Sequence, residues 1–294
     1  MNSRINCLRK KVCLGLLIAA LSVSLLTLQP PRAQAIVHGD LAAGIAVMST
    51  LGVAMIGYGI YETRFRPGEK RLLPGEFYVG GYLGGGCAPD QDFKYGSGVT
   101  VQNGAAVTHQ GPTTLQKVAF QPGVVAGLKF GYFFDNPIPY LGLEMEMNYN
   151  RSAVREQPVW VRPPVLGLTS GTFTSENWVN WTTAFHVIGR YGFLPDAEVP
   201  FGRLQPYVGI GPGWVCMYHD YDAAKNFAID ALAGVRYMML KNVSAYLEYK
   251  YSHQFSPEME STPFSLPNGA TARGTATLSA YDSHKVVLGI AYHF

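Results

Sequence analysis

The sequence is short of charge. Asp, Glu, Lys and Arg make up 15% of 294 residues, against about 25% in ordinary soluble domains. A large water-facing surface is therefore not expected. Cysteine is also scarce, with four in the chain. No His-Glu-x-x-His, paired Cys-x-x-Cys or phosphate loop occurs, so the metal and nucleotide sites that short motifs announce are not expected. No cofactor is expected. Gly209-x-Gly211-x-Gly213 has part of a dinucleotide fingerprint, but it sits within a strand pattern and opens no helix.

What charge there is lies unevenly. Arg4, Arg9, Lys10 and Lys11 precede the uncharged apolar run Val12 to Leu28, and Ala33-Gln34-Ala35 follows. That order predicts a secretory signal peptide over 1–35. Its removal takes away five cations and no anion, moving the net charge from +3 to −2. The basic balance thus belongs to the leader and gives no reason to expect nucleic acid as a partner. Cys7 and Cys13 leave with it. Cys87 and Cys216 remain, far apart around the strand pattern described next, so no bridge between them is expected. No Leu-x-x-Cys stretch at the cleavage point suggests a lipid anchor.

Residues 36–75 form an apolar segment and a polar linker. Leu41 to Tyr61 carries no charge and is long enough to cross a bilayer as a helix. It could anchor the protein in the inner membrane, lie against the rest of the fold, or mark a leader placed differently. Its glycines and the Ser49-Thr50 pair favour a non-spanning segment.

From Glu76 the hydrophobic period becomes two, the strand signal. Eight strands are predicted, near 76–85, 122–133, 139–149, 178–193, 205–218, 227–240, 243–253 and 280–294. Leu141, Leu143, Met145, Met147 and Tyr149, alternating with Gly142, Glu144, Glu146 and Asn148, are the clearest case. Strands of 10 to 15 residues suit a tilted bilayer crossing. The connections alternate: short at Asp135–Ile138, Leu194–Leu204 and Lys241-Asn242, mostly longer at Gly86–Gln121, Asn150–Asn177, His219–Asn226 and Gln254–Ser279. Tyr132, Phe133, Tyr191, Phe193, Tyr237, Tyr292 and Phe294 gather at one set of strand ends. Tyr149, Trp181, Trp214, Tyr218 and Tyr251 lie nearer the other, as two interfacial girdles require. The expected fold is all-β: an eight-stranded antiparallel transmembrane up-and-down β-barrel over 76–294.

The face opposite the apolar set is predicted to point inward. It carries Lys129, Glu144, Glu146, Arg190, Asp230, Arg236, Glu248, Lys250 and Lys285, of both signs, so internal ion pairing is expected. His186 shares that face.

The run Ala231–His253 (ALAGVRYMMLKNVSAYLEYKYSH), with a last strand closing on Tyr292-His293-Phe294, resembles the small outer-membrane β-barrel family of Gram-negative bacteria. Its members are similar to the transmembrane domain of outer-membrane protein A. The resemblance implies outer-membrane lipid and lipopolysaccharide as surroundings. It also implies assembly by the outer-membrane insertion machinery through the last strand, with Val286, Leu288, Ile290, Tyr292 and Phe294 as the assembly signal.

Three functions are open. The first is a barrel without a large pore, with a structural or surface-interaction role carried by its extracellular loops and an unidentified extracellular ligand; Pro158–Val165 (PVWVRPPV) suggests a contact site or folded-back loop. The second is a lipid A-modifying acyl hydrolase. His253, Ser256 and Glu258 are its catalytic candidates, although lipid A deacylases carry His-x-Ser-Asn and this chain has His-x-x-Ser-Pro. The third is an inner-membrane-anchored protein with a β domain. His219, Asp220 and Asp222 could ligate a metal, but a solvated polar loop explains them equally.

Overall fold

The computed structural model describes residues 75–219 and 223–294 and a set of helical residues between 45 and 61. The leader, the linker and Asp220 to Asp222 lie outside the described residues. Among those described, no helix is long and apolar enough to cross a membrane.

Sixteen strands follow in chain order. They are β1 (Gly75–Cys87), β2 (Gln91–Tyr95), β3 (Val99–Asn103), β4 (Ala106–Gln110), β5 (Thr113–Val118), β6 (Gln121–Phe134), β7 (Leu141–Val154) and β8 (Gln157–Val165). Then come β9 (Leu168–Phe173), β10 (Glu176–Arg190), β11 (Leu204–His219), β12 (Ala223–Leu240), β13 (Val243–Phe255), β14 (Glu258–Ser265), β15 (Thr271–Leu278) and β16 (Ala280–His293).

Eight of them, β1, β6, β7, β10, β11, β12, β13 and β16, close an antiparallel barrel. Closure pairs β1 with both β6 and β16, so no backbone edge is left open to lipid. These are the eight predicted strands, mostly extended by one to five residues at one or both ends. The barrel strands run 13 to 18 residues, more than the roughly 9–11 a bilayer crossing needs. Most of the added residues lie at the end that carries the long connections.

Alternation sorts the side chains. Leu83, Leu128, Leu143, Phe185, Val208, Leu247, Val286 and Leu288 are exposed on the outer wall, while Lys129, Glu144, Arg236 and Glu248 are buried within. Tyr191–Phe193 and Tyr292–Phe294 pack in pairs at one rim, Tyr149–Trp181 and Trp214–Phe227 towards the other. Phe133 departs from the expected girdle. It is buried inside, stacked on Tyr78, because its parity is that of Lys129 rather than of Tyr132.

The interior is narrow, and glycine makes room in it. Tyr78 is paired directly with Gly131, Tyr82 with Gly127, Tyr207 with Gly234 and Tyr246 with Gly289. Each ring lies over its glycine. A Cβ on Gly131 would come within 2.1 Å of the Tyr78 ring, and one on Gly127 within 2.3 Å of Tyr82. Gly131→Val is expected to cut the yield of folded, heat-modifiable barrel sharply, with partial recovery in the double variant Gly131→Val/Tyr78→Ala. Equal loss in the single and double variants would contradict the steric explanation.

The long connections are not loops. Gly86–Gln121 contains β2 to β5, Asn150–Asn177 contains β8 and β9, and Gln254–Ser279 contains β14 and β15. Pairings run β14 to β9, β9 to β8, β8 to β5, β5 to β2, β2 to β15 and β15 back to β14. They form a second, smaller ring, with the hairpin β3–β4 attached to β15. Segments with Pro and Gly at short intervals read as loops because each strand is brief. Only pairing between different connections turns them into a sheet.

Candidate functional site

Two features could carry function: the charged lumen and the cap above it. The lumen is layered. At the short-turn rim, Arg190 Nη2 lies 2.7 Å from Glu76 Oε2, and His293 Nδ1 is 2.5 Å from Glu76 Oε1. The Arg190 guanidinium stacks between the rings of Phe133 and Phe201, at 3.6 and 4.3 Å. The connection that follows β10 holds its own shape, because Arg203 reaches both Asp196 and Glu198. Hydrogen bonding from Arg203, helped by the Val199 backbone N–H, holds the Asp196 carboxyl below the usual carboxylate range.

The middle layer is an ion-pair core. Lys129 Nζ lies 2.7 Å from Glu248 Oε2 and 3.3 Å from Glu144 Oε2. Lys250 bridges Glu146 and Glu248. Tyrosine hydroxyls complete the carboxylates. Tyr78 donates to Glu144 at 2.5 Å, Tyr82 to Glu146 at 2.6 Å and Tyr207 to Glu248 at 2.6 Å. Lys129 also sits 4.2 Å over the Tyr246 ring, and Arg236 4.4 Å over Tyr78. Lys285 donates to Asn148, which donates to Glu146. Counting Glu76 at one rim and Glu176 at the other, the barrel interior holds six carboxylates and five Lys or Arg among the described residues. Charges this far from water survive only when paired and hydrogen-bonded.

All nine predicted lumen charges are buried. Tyr78, Tyr82, Tyr207 and Tyr246 share the parity of these charges, and the same rule of alternation turns them inward. Glu76 and His293, at the two chain ends of the barrel, meet only because β1 and β16 close it.

Glu144, Glu146 and His186 bring possible ligand atoms within 4.8 Å of one another. The carboxylates are already engaged by Lys129 and Lys250, and their charge is spent on those cations, so the donor set does not fit a metal ion.

Above the charges lies a neutral layer. Asn150, Ser152, Asn180, Thr182, Ser252, Gln254 and Ser283 are buried there. Above that, the interior becomes largely apolar around the buried Glu176 and His219. Trp178 from β10 meets Phe120 edge-on at 5.1 Å and Phe93 at 5.9 Å, and stacks on Tyr281 from β16. Leu115, Val118, Val159, Val161, Phe173, Phe264 and Leu278 from the second ring join the same core. The cap is therefore packed onto the barrel mouth through one continuous apolar cluster.

The catalytic candidates do not converge. His253 Nδ1 pairs with Asp282 Oδ1 at 2.7 Å, and Tyr251 donates to the same oxygen. Ser256 donates to the Ser279 carbonyl at 3.1 Å, and Glu258 opens β14 opposite Thr277. Neither hydrogen-bonds to His253. The carboxylate beside His253 is Asp282, brought there by β13–β16 pairing across 29 residues. Of the loop metal candidates, His219 is buried and stacked on Trp178, while Asp220 and Asp222 lie outside the described residues. Cys87 is exposed and Cys216 is buried, and no disulfide joins them. A Cβ on Gly211 would strike the Phe185 carbonyl at 1.7 Å, so this glycine serves close strand approach.

A closed antiparallel barrel, apolar outside and ion-paired inside, is the architecture of an integral β-barrel membrane protein. The family of the outer membrane protein beta-barrel domain matches residues 73–294. The chain belongs to that family, and it resides in the outer membrane of a Gram-negative bacterium. Among solved structures it is similar to the outer membrane protein OprG from Pseudomonas aeruginosa, at 16% identity over 76% of this chain and 97% of that one, with a TM-score of 0.42. It is also similar to Neisserial surface protein A, at 12% identity over 74% and 97%, TM-score 0.39. A third is the outer membrane protease OmpT from Escherichia coli, at 10% identity over 74% and 97%, TM-score 0.36. A search of curated protein sequences finds no significant match.

Proposed function

We propose that this protein is a non-enzymatic outer-membrane scaffold that presents a folded extracellular cap for surface interactions and has no large open pore. The observation that carries this reading is the ring of loop strands with its own apolar core, seated on the barrel mouth. Eight strands enclose a lumen that side chains fill, and here they fill it with paired charges. A mouth stoppered by Trp178, Phe93 and Phe120 suits display rather than passage.

The working surface is the protruding hairpin β3–β4. Residues 106–109 are all exposed, Val107 among them. Among the described residues β4 pairs with β3 alone, so its outer edge offers backbone donors and acceptors to an extended segment of an extracellular ligand. Outer-membrane lipid and lipopolysaccharide surround the barrel wall, and the insertion machinery reads the last strand, where Val286, Leu288, Ile290 and Tyr292 face outward.

Two measurements test this. A planar-bilayer recording should show no steady large conductance from the purified protein; such a conductance would end the closed reading. Replacing residues 99–110 by a short turn should leave a heat-modifiable barrel but abolish adhesion of expressing cells to immobilised extracellular proteins. Unchanged adhesion would remove the hairpin from the interaction.

A further inference from the structure

The outer wall is not uniformly bare. Elsewhere its large residues face outward freely: Leu288 is 65% exposed and Ile290 60%. On β6 and β7, Phe130 and Met145 have the same outward parity yet are only 8% and 7% exposed. The N-terminal segment reaches this wall at Phe130. A Cβ on Gly52 would lie 2.5 Å from the Phe130 ring. Tyr58 packs edge-on against Phe77 of β1, with centroids 5.3 Å apart. Ile45 and Ser49 face Gly81, Ala126 and Met147 across a cavity of about 550 Å³.

Positions 45, 49 and 52 fall on one face of a helix. That face carries Ile45, Ser49 and Gly52, and it meets Gly81, Ala126, Met147 and Phe130 of the wall. The exposed residues among those described are Thr50, Val53, Ala54, Gly57, Ile60 and Tyr61, none of them charged. The segment packs on a wall whose other large residues face lipid, and the residues on its far side are uncharged. A helix bound for water would turn polar residues outward, and this segment has no charge from Leu41 to Tyr61.

We infer that the helical residues between 45 and 61 lie within the outer membrane as an accessory element of the barrel. They take the place of lipid on the β1–β6–β7 wall and keep that wall from any second barrel. Gly52 is the contact point, since a side chain there competes for space with Phe130. The Tyr58–Phe77 pair fixes the lower end near the periplasmic rim, where the linker must return to Gly75.

A photo-crosslinking experiment on the full chain in native outer membranes tests this. A benzophenone amino acid replaces Phe130 in one variant and Ile290, on the bare wall, in another. Both carry a protease site within residues 64–70. After irradiation and cleavage, the N-terminal fragment should remain joined to the barrel from position 130 and not from position 290. Adding Gly52→Leu should abolish the crosslink at 130 while the barrel keeps its unheated gel mobility. Should that variant fail to fold, the comparison of positions 130 and 290 decides alone. The inference is overturned if position 130 crosslinks lipid or other envelope proteins but not the fragment, if both positions capture it equally, or if Gly52→Leu leaves a folded barrel with the crosslink intact.

Discussion

Lys129→Met destabilises the folded barrel by about 3–5 kcal/mol, the cost of leaving buried carboxylates without their cation. Lys129 has no exposure, and it is the cation between Glu144 and Glu248. Methionine matches its length but offers neither charge nor donor. Lys250 still touches Glu248, so the loss is partial rather than complete, and Glu144 keeps only Tyr78 and the more distant His186. The double variant Lys129→Met/Glu248→Gln regains part of the loss, because one of the stranded charges is then gone. Urea titration in detergent, followed by the unheated gel shift, measures both. If the single variant unfolds at the same urea concentration as the parent, the lumen network contributes little and is not the element that holds the barrel wall together.

Trp178→Ala opens the cap. The indole is fully buried where cap and barrel meet, and its removal takes away contacts with Phe93, Phe120 and Tyr281 together. Aromatic truncation in a packed core costs about 3–5 kcal/mol, and the indole N–H bond to Glu176 goes with it. The barrel is closed by its own ladders and does not depend on this side chain. Protease added to intact cells should therefore cut the variant within 88–120 or 156–175, while the membrane-embedded strands stay protected and heat-modifiable. Simultaneous loss of barrel mobility would show that the two rings fold as one unit. Unchanged resistance would show that the cap holds without its central aromatic.

Much of the barrel is legible in the residues alone. Leu141 to Tyr149 alternate so regularly that their direction follows from parity, and the same parity puts Glu144 and Glu146 inside. The tail from Lys285 to Phe294 reads the same way. The signal is strong because a lipid-facing wall tolerates almost no polar residue, so each strand repeats it. The cap was not legible. β2, β4 and β9 are five or six residues long, and β2 and β9 also pair with strands of other connections, as far as 185 residues away between Phe93 and Leu278. No local period survives at that length. The candidate chemistry failed for a related reason. His253, Ser256 and Glu258 are neighbours in sequence, but the turn at Ser256 sends them to different partners.

The sequence by itself determined the number of barrel strands, which face of each meets lipid, and that charges of both signs point inward. All three follow from a period of two set against an apolar solvent. Tertiary structure alone decided which charges meet, since Lys129 finds Glu248 only when the barrel closes across 119 residues. It decided that the long connections become a second ring, because short strands gain stability only from one another. It also decided that an uncharged N-terminal segment finds its place on one particular wall, where Gly52 lets a helix approach Phe130 as closely as lipid would.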